Sequence, residues 1–436
     1  MTEEERLRKN SQIAQTKKET ITRHSNMTCR TFTVKIQKNK LSQRQKEELK
    51  MLFVEAKWFK NHILNWCEED PNRKLSKFDR KTKDIFRRDK DNNIIEQHLN
   101  YLTSSLKNDV LDTMLSNIKT LSTLKKKGYQ KPGRLKYVRE INTLGLCQYG
   151  VTHKIVSSRR LKLQGIHKTV PVNGLEQFLF IPEIEICNAR LLKKADDYYV
   201  QFVTYTPKEL PKETNGEVIG IDFGCATNFT LSTGEKVNAS IQEGERLKTL
   251  QRKLAKQKKG SKNWSKTKAL IQKEYYKITN KKTDATNKLV AHLMEYEIVV
   301  FQDELLKAWQ KGGHGKAVQH SILGRVKSRL LQLATLYPDR FIVLSSSCPT
   351  TKLCTKCGKY HDDIKLSDRW FECSCGISQD RDIHAAENMI WFYLNNVGVG
   401  RSKITPVEMK ALIGDIFDTS NQLSSEKQEA NDALAS

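Results

Sequence analysis

At 436 residues, the chain is long enough for roughly two to four domains and a sizeable core. It carries 76 Lys and Arg against 50 Asp and Glu, a formal net charge of +26, with 29% charged and 38% hydrophobic residues. This balance fits a globular chain with a heavily charged surface and points to a polyanion partner, nucleic acid ahead of an anionic membrane surface. The sequence has no 18-residue apolar run, and MTEEERLRKNSQ lacks a signal-peptide pattern, so no membrane partner and a cytoplasmic location are expected. Of the ten cysteines, six are scattered singly, which excludes a disulfide framework.

Residues 1–28 are polar and charged and are expected to fray. Thr31 to Gln37 alternates apolar and polar residues, the pattern of a strand. Ser42 and Gln45 form a capping box for a helix, in which Leu52, Ala56, Phe59, Ile63 and Trp66 make one apolar stripe. A second helix is expected over residues 93–126, ending in the basic linker LKKKGYQKPGR. From about 135 to 210 the pattern turns to strands. EIEICNARLLKK and YYVQFVTYTP read as a hairpin about a turn at residues 195–197. Strand, helical insert and more strands suggest a β-barrel interrupted by a helical lobe.

A linker is expected at residues 206–216. Val218 to Asp222 then reads as a short apolar strand ending in an acid, and Phe229 to Leu231 as its neighbour. Residues 246–282 hold 14 Lys or Arg against one acid, Glu274. A solvated helix face is the bland account of such a run. The one-sided charge favours phosphate contact, with Arg252, Lys253, Lys256, Lys258 and Lys259 as candidates. IVVF at 298–301 and RFIVLSS at 340–346 are further strands, separated by a Gly-rich loop and a helix, which gives an α/β pattern. The end of the chain, residues 411–436, reads as a disordered tail.

Cys354 and Cys357 form a CxxC pair, and Cys373 and Cys375 a CxC pair, each followed by glycine. Two short loops that each offer two thiolates are what one tetrahedral Zn2+ requires, and four sulfur ligands leave no open position, so such a metal holds structure. Cys348 and His361 are alternative ligands. Acids stand at strand ends at Asp222 and at Asp303–Glu304, and at a helix start at Asp380 and Asp382. Three converging carboxylates would hold two Mg2+ ions, able to activate water against a phosphodiester.

The segments GIDFG, FQDE and CTKCG…CSCGISQDRDIHAAENM resemble the RuvC-like nuclease of the TnpB family, transposon-encoded RNA-guided DNA endonucleases from which the miniature type V CRISPR effectors derive. The match covers residues 215–395; upstream it is one of architecture. The resemblance puts the first catalytic acid on Asp222 and the third on Asp382, with Ile383, Ala385, Ala386 and Asn388 in register and His384 in place of the usual Asn. It makes Asp380, Arg381 and Asn388 supporting residues. For the second acid, the position directly after IVVF is Gln302, which cannot serve as an anionic ligand. On an extended strand Gln302 and Glu304 share a face and Asp303 points away, so Glu304 is preferred if the strand runs one pleat further, with Asp303 as runner-up.

The fold class so implied is a multidomain α/β and α+β chain. A wedge-like β-barrel (1–42 and 129–214) is interrupted by a helical recognition lobe (43–128). An RNase H-like (RuvC) nuclease (215–345 and 380–410) is interrupted by a zinc-ribbon, nucleic-acid-binding insert (346–379). The implied partners are a guide RNA and double-stranded target DNA with a short flanking motif, base pairing reading the rest. Two other readings stay open: a nuclease-inactive RNA-guided DNA-binding repressor, and a conventional transposase or resolvase on the same fold.

Overall fold

The structure, a computed structural model, describes residues 2–70, 72–89, 93–128, 133, 135–195, 197–207, 213–365, 367–400, 408–409 and 411–417. The chain divides into two units, Met1–Leu210 and Pro211–Ser436.

The first unit opens with a helix, α1 (Glu3–Ser25), where fraying was expected. No apolar stripe announces it, and none of its residues is buried. A Thr2–Glu5 capping box and acids in its first turn account for it instead. Strand β1 (Met27–Ile36) and helix α2 (Gln43–Glu69) follow. The Ser42–Gln45 capping box forms as read, and Leu52, Ala56, Phe59 and Ile63 are buried. The helix expected over 93–126 begins only at Ser104. Residues before it make a hairpin of β2 (Asp84–Arg88) and β3 (Ile94–His98), and α3 runs Ser104–Lys126. The buried Leu99 and Leu102, which read as part of the helix, lie in the loop between β3 and α3. There the buried carboxylate of Glu55 accepts the backbone N–H groups of Asn100, Tyr101 and Leu102 at 3.0, 2.8 and 2.8 Å. These charge-assisted bonds satisfy donors that the loop would otherwise leave unpaired.

Six further strands complete a seven-stranded antiparallel sheet in the order β4-β8-β9-β1-β7-β6-β5. They are β4 (Thr143–Leu146), β5 (His153–Ser157), β6 (Arg160–Leu163), β7 (Thr169–Asn173), β8 (Glu185–Lys194) and β9 (Asp197–Pro207), with a short α4 (Glu176–Leu179) before β8. The β8–β9 hairpin is as read, though residue 196 of its turn lies outside the described residues. So do parts of the two expected linkers, at 129–132, 134 and 208–212.

The second unit holds a five-stranded sheet in the order β12-β11-β10-β13-β14: β12 (Lys236–Val237), β11 (Phe229–Leu231), β10 (Val218–Phe223), β13 (Ile298–Gln302) and β14 (Phe341–Leu344). β10, β13 and β14 are parallel, and β11 and β12 run antiparallel. Between β12 and β13 lie α5 (Glu245–Ala255) and α6 (Lys262–Leu293). Between β13 and β14 lie α7 (Leu306–Trp309), α8 (Gly315–His320) and α9 (Leu323–Leu336). Val299 and Phe301 face α6 and α9, while Val300 and Ile342 face the opposite cluster with Met389 and Phe392. Burial on both faces explains why these strands read as unbroken apolar runs. After β14 come a small hairpin, β15 (Trp370–Glu372) and β16 (Ser378–Asp380), and then α10 (Arg381–Leu394). Residues 408–409 and 411–417, expected in part as a disordered tail, are helical, with Met409 and Ile413 buried; 418–436 lie outside the described residues.

One glycine sets how closely α10 lies on this sheet. A Cβ at Gly220 would sit 1.9 Å from the carbonyl oxygen of Ala386. Asp222 lies one pleat beyond Gly220 on the same face, and Asp382 one helical turn before Ala386. Close packing at 220–386 therefore brings the two acids together.

Candidate active site and metal centre

Asp222, Glu304 and Asp382 line one cavity of about 700 Å³ in the second unit, with Gln302 and Arg381 in its wall. Each of the three acids is half-buried. The Asp222 carboxyl is pushed well above its ordinary range by burial and by the charges of Glu304 and Asp382. Burial likewise pushes Glu304 up to about 6, with Lys327 opposing and Asp303 adding to the shift. The charges of Glu304 and Asp382 beside the buried Asp222 carboxyl store electrostatic repulsion that a divalent cation would relieve. An all-oxygen donor set of this charge fits Mg2+.

Glu304 does not reach the cavity by the pleat extension expected from sequence. β13 ends at Gln302, the Glu304 N–H turns back to the Gln302 carbonyl at 2.9 Å, and the Leu306 N–H caps the Glu304 carbonyl at 3.0 Å. A tight turn, fixed further by a hydrogen bond from Lys327 Nζ to the Glu304 carbonyl, aims the side chain inward. Asp303 points elsewhere, into an ion pair with Lys327 at 2.7 Å. Gln302 is 3% exposed, and its Nε2 donates to the Ser345 and Cys348 carbonyls, both at 2.9 Å. Sequence reasoning dismissed Gln302 as a ligand but missed that it pins the loop after β14 to the strand that leads to Glu304. Nor did any local signal single out Lys327, which lies 23 residues from Glu304.

The structure gives the supporting residues definite tasks. Asp380 is the N-cap of α10, accepting the Asp382 and Ile383 N–H groups at 3.0 and 3.3 Å and pairing with Lys236 at 2.6 Å. Burial pushes its carboxyl up, but Lys236 and the two N–H groups outweigh this and hold it below the usual range. Arg381 donates to Asp382 Oδ1 at 3.2 Å and to the Lys365 carbonyl at 3.1 Å. Asn388 Nδ2 donates to the Thr350 and Leu353 carbonyls at 2.7 and 2.8 Å. His384, the departure from the family pattern, lies 2.8 Å from the Leu353 carbonyl through Nε2 and stacks on Phe371 at 3.6 Å. Burial lowers its pKa.

The same helix is thus bolted to the cysteine loop. Cys354, Cys357, Cys373 and Cys375 place their sulfurs within 4.8 Å of one another, with Cys354–Cys375 at 3.4 Å and Cys357–Cys373 at 3.6 Å. Tetrahedral zinc with bonds of about 2.3 Å needs sulfurs about 3.8 Å apart, so the cluster fits a single ion. Cys348 and His361 are not among these four ligands, though His361 hydrogen-bonds the Cys373 side chain. Cys348 is buried with its carbonyl held by Gln302, and His361 packs edge-on to Phe371 at 5.2 Å. β16 runs directly from the second cysteine pair into α10, so the clip and Asp382 share one rigid segment.

Arg252 and Lys253 stand on α5, and Lys256, Lys258 and Lys259 on the turn after it; all five are exposed. Glu274, the one acid of this basic stretch, is occupied by Arg246 and Lys277 at 3.4 and 2.9 Å.

Comparison with known proteins agrees with this layout. Residues 201–303 match the OrfB_IS605 family, described as "Probable transposase", and residues 324–389 match the "Cas12f1-like, TNB domain". Over 185 residues the chain is 30% identical to a "Putative RNA-guided DNA endonuclease" of Streptomyces pristinaespiralis, covering 41% of this chain and 46% of that protein. Over 223 residues it is 25% identical to "Putative RNA-guided DNA endonuclease InsQ" of Escherichia coli K12, covering 47% and 56%. The chain therefore spans about half the length of the curated relatives it matches. A solved Cas12f1–sgRNA–target DNA complex is similar at a TM-score of 0.46 and 12% identity, over 84% of this chain and 99% of that one. One matched region holds Asp222 and the other holds the four cysteines and Asp382, in the order the motifs require: over these two regions the chain is similar to TnpB-like proteins.

Proposed function

We propose that this protein is an RNA-guided DNA endonuclease that hydrolyses phosphodiester bonds at Asp222, Glu304 and Asp382, and that the four cysteines hold a structural Zn2+. The observation that carries the reading is the convergence of three acids in one cavity of a chain with net charge +26. The names of its relatives point the same way. Acids at the ends of two parallel strands and at the start of the helix packed on them are what an RNase H-like (RuvC) nuclease needs. On this reading residues 215–345 and 380–410 form the nuclease, and 346–379 the zinc-binding insert. Residues 1–42 and 129–214 form the wedge-like barrel, and 43–128 the recognition lobe.

Asp222, Glu304 and Asp382 would hold two Mg2+ ions, which when bound supply an activated water and neutralise the leaving oxygen. The chain's own residues set the geometry. Lys327 fixes the turn that presents Glu304. Asp380 caps the helix that presents Asp382. Arg381 holds the Asp382 carboxylate and lies in the cavity wall, where a phosphate would meet positive charge. The basic stretch from 246 to 282 is proposed to contact the phosphates of guide or target.

The test is to purify the protein with the RNA it retains, sequence that RNA, and replace its guide segment. Cleavage should follow the new guide onto a matching DNA. Cleavage that ignores the guide, or a protein that retains no RNA, would contradict the reading.

A further inference from the structure

A second group of metal-ligating side chains lies in the first unit, far along the sequence from the four cysteines. His24, in the last turn of α1, stacks on Tyr205 of β9 with ring centroids 3.7 Å apart and planes 9° apart. Glu185 of β8 is the register partner of Tyr205, and Cys187 follows two residues later, just where the β8–β9 register shifts. The ligand atoms of His24, Glu185 and Cys187 lie within 4.8 Å of one another. Cys187 Sγ is 3.9 Å and His24 Nε2 3.1 Å from Glu185 Oε1.

His24 Nε2 is the informative atom. The atom is shielded from solvent, and its contact with Glu185 is an ion pair without hydrogen-bond geometry, so it has no hydrogen-bond partner among the described residues. A shielded nitrogen that makes no hydrogen bond is destabilising. A cation shared by the imidazole, the thiolate and the carboxylate would remove that cost. A nitrogen, a sulfur and an oxygen donor are the ligand types of Zn2+. Arg23 also reaches Glu185 Oε1, at 2.9 Å, but its side chain is 59% exposed and can swing into solvent.

We propose that His24, Glu185 and Cys187 form a second Zn2+ site, with three protein ligands and a fourth position open to water. It would fasten the end of α1 to the sheet, because His24 comes from the helix and the other two ligands from β8. With an open position the ion exchanges more readily than one held by four thiolates.

The site is read by metal stoichiometry. The full-length protein is dialysed against a mild chelator and titrated with Zn2+ alone, then with Co2+ to follow thiolate-to-metal absorption. Wild type should bind one more equivalent than either His24→Ala or Cys187→Ser. The double variant Cys354→Ser/Cys373→Ser should keep that exchangeable equivalent while losing the other. If wild type and the His24 and Cys187 variants bind the same amount of metal, the proposal is overturned. It is overturned equally if the exchangeable equivalent disappears with Cys354 and Cys373. Neither result bears on the nuclease reading.

Discussion

Glu304 and Asp303 are adjacent in sequence and opposite in surroundings. Asp303 is neutralised by Lys327, whereas Glu304 faces the cavity with its carboxyl pushed up to about 6. Glu304→Ala should lower cleavage by about two orders of magnitude or more, and Asp303→Ala by much less. Loss of cleavage in Asp303→Ala with normal cutting by Glu304→Ala would reassign the ligand. The raised carboxyls also fix the sign of two pH effects. Protons compete with Mg2+, so cleavage should rise as pH increases through about 6. Without metal, a folded-state pKa raised above the unfolded value favours folding at low pH. That stability is lost as pH rises from about 4 through the raised values. Thermal melts in EDTA should therefore show Glu304→Gln gaining on wild type by about 1–2 kcal/mol at pH 8 and gaining nothing at pH 4. A gain that is the same at both pH values would mean the carboxyl is not raised. Asp222 and Asp382 could be singled out from sequence because each sits in a local motif. Gln302 and Lys327 could not, because their partners lie 23 to 48 residues away.

At the scale of elements, the cysteine hairpin and α10 act as one piece. His384 and Asn388 on the helix hold the carbonyls of Thr350 and Leu353, which precede the first cysteine pair. Cys354→Ser/Cys373→Ser should bind one zinc equivalent fewer than wild type, lower the melting temperature and reduce cleavage through the misplaced Asp382. Metal analysis beside a melt checks this, and full zinc retention would reject the four-cysteine assignment. His384→Ala removes a buried ring and should cost about 1–3 kcal/mol without removing zinc. The strands of the second unit were legible because they are buried on both faces and bounded by polar residues. α1 and the start of α3 were misread for opposite reasons. α1 buries nothing and so lacks periodicity, whereas Leu99 and Leu102 are buried in a loop that Glu55 satisfies from 45 to 47 residues away.

Over the whole molecule, the net charge of +26 makes the acids of the cavity exceptions to the chain's trend, and the exposed lysines around α5 its clearest expression. Neutralising Lys253, Lys256, Lys258 and Lys259 together should weaken nucleic-acid binding and flatten its salt dependence by about one log–log unit per lost phosphate contact. An unchanged slope would make them a solvated face. On the proposed function, binding is carried by basic surface and chemistry by three carboxylates. The most direct measurement uses Asp222→Ala loaded with its RNA, assayed with a guide-matched plasmid in Mg2+ and in EDTA, with target binding measured in parallel. Wild type should cut in Mg2+ and not in EDTA, and the variant should bind the target as wild type does and not cut. Wild-type levels of cleavage by Asp222→Ala, or a wild type that binds the matched target and never cuts it with Mg2+, would contradict the proposed function.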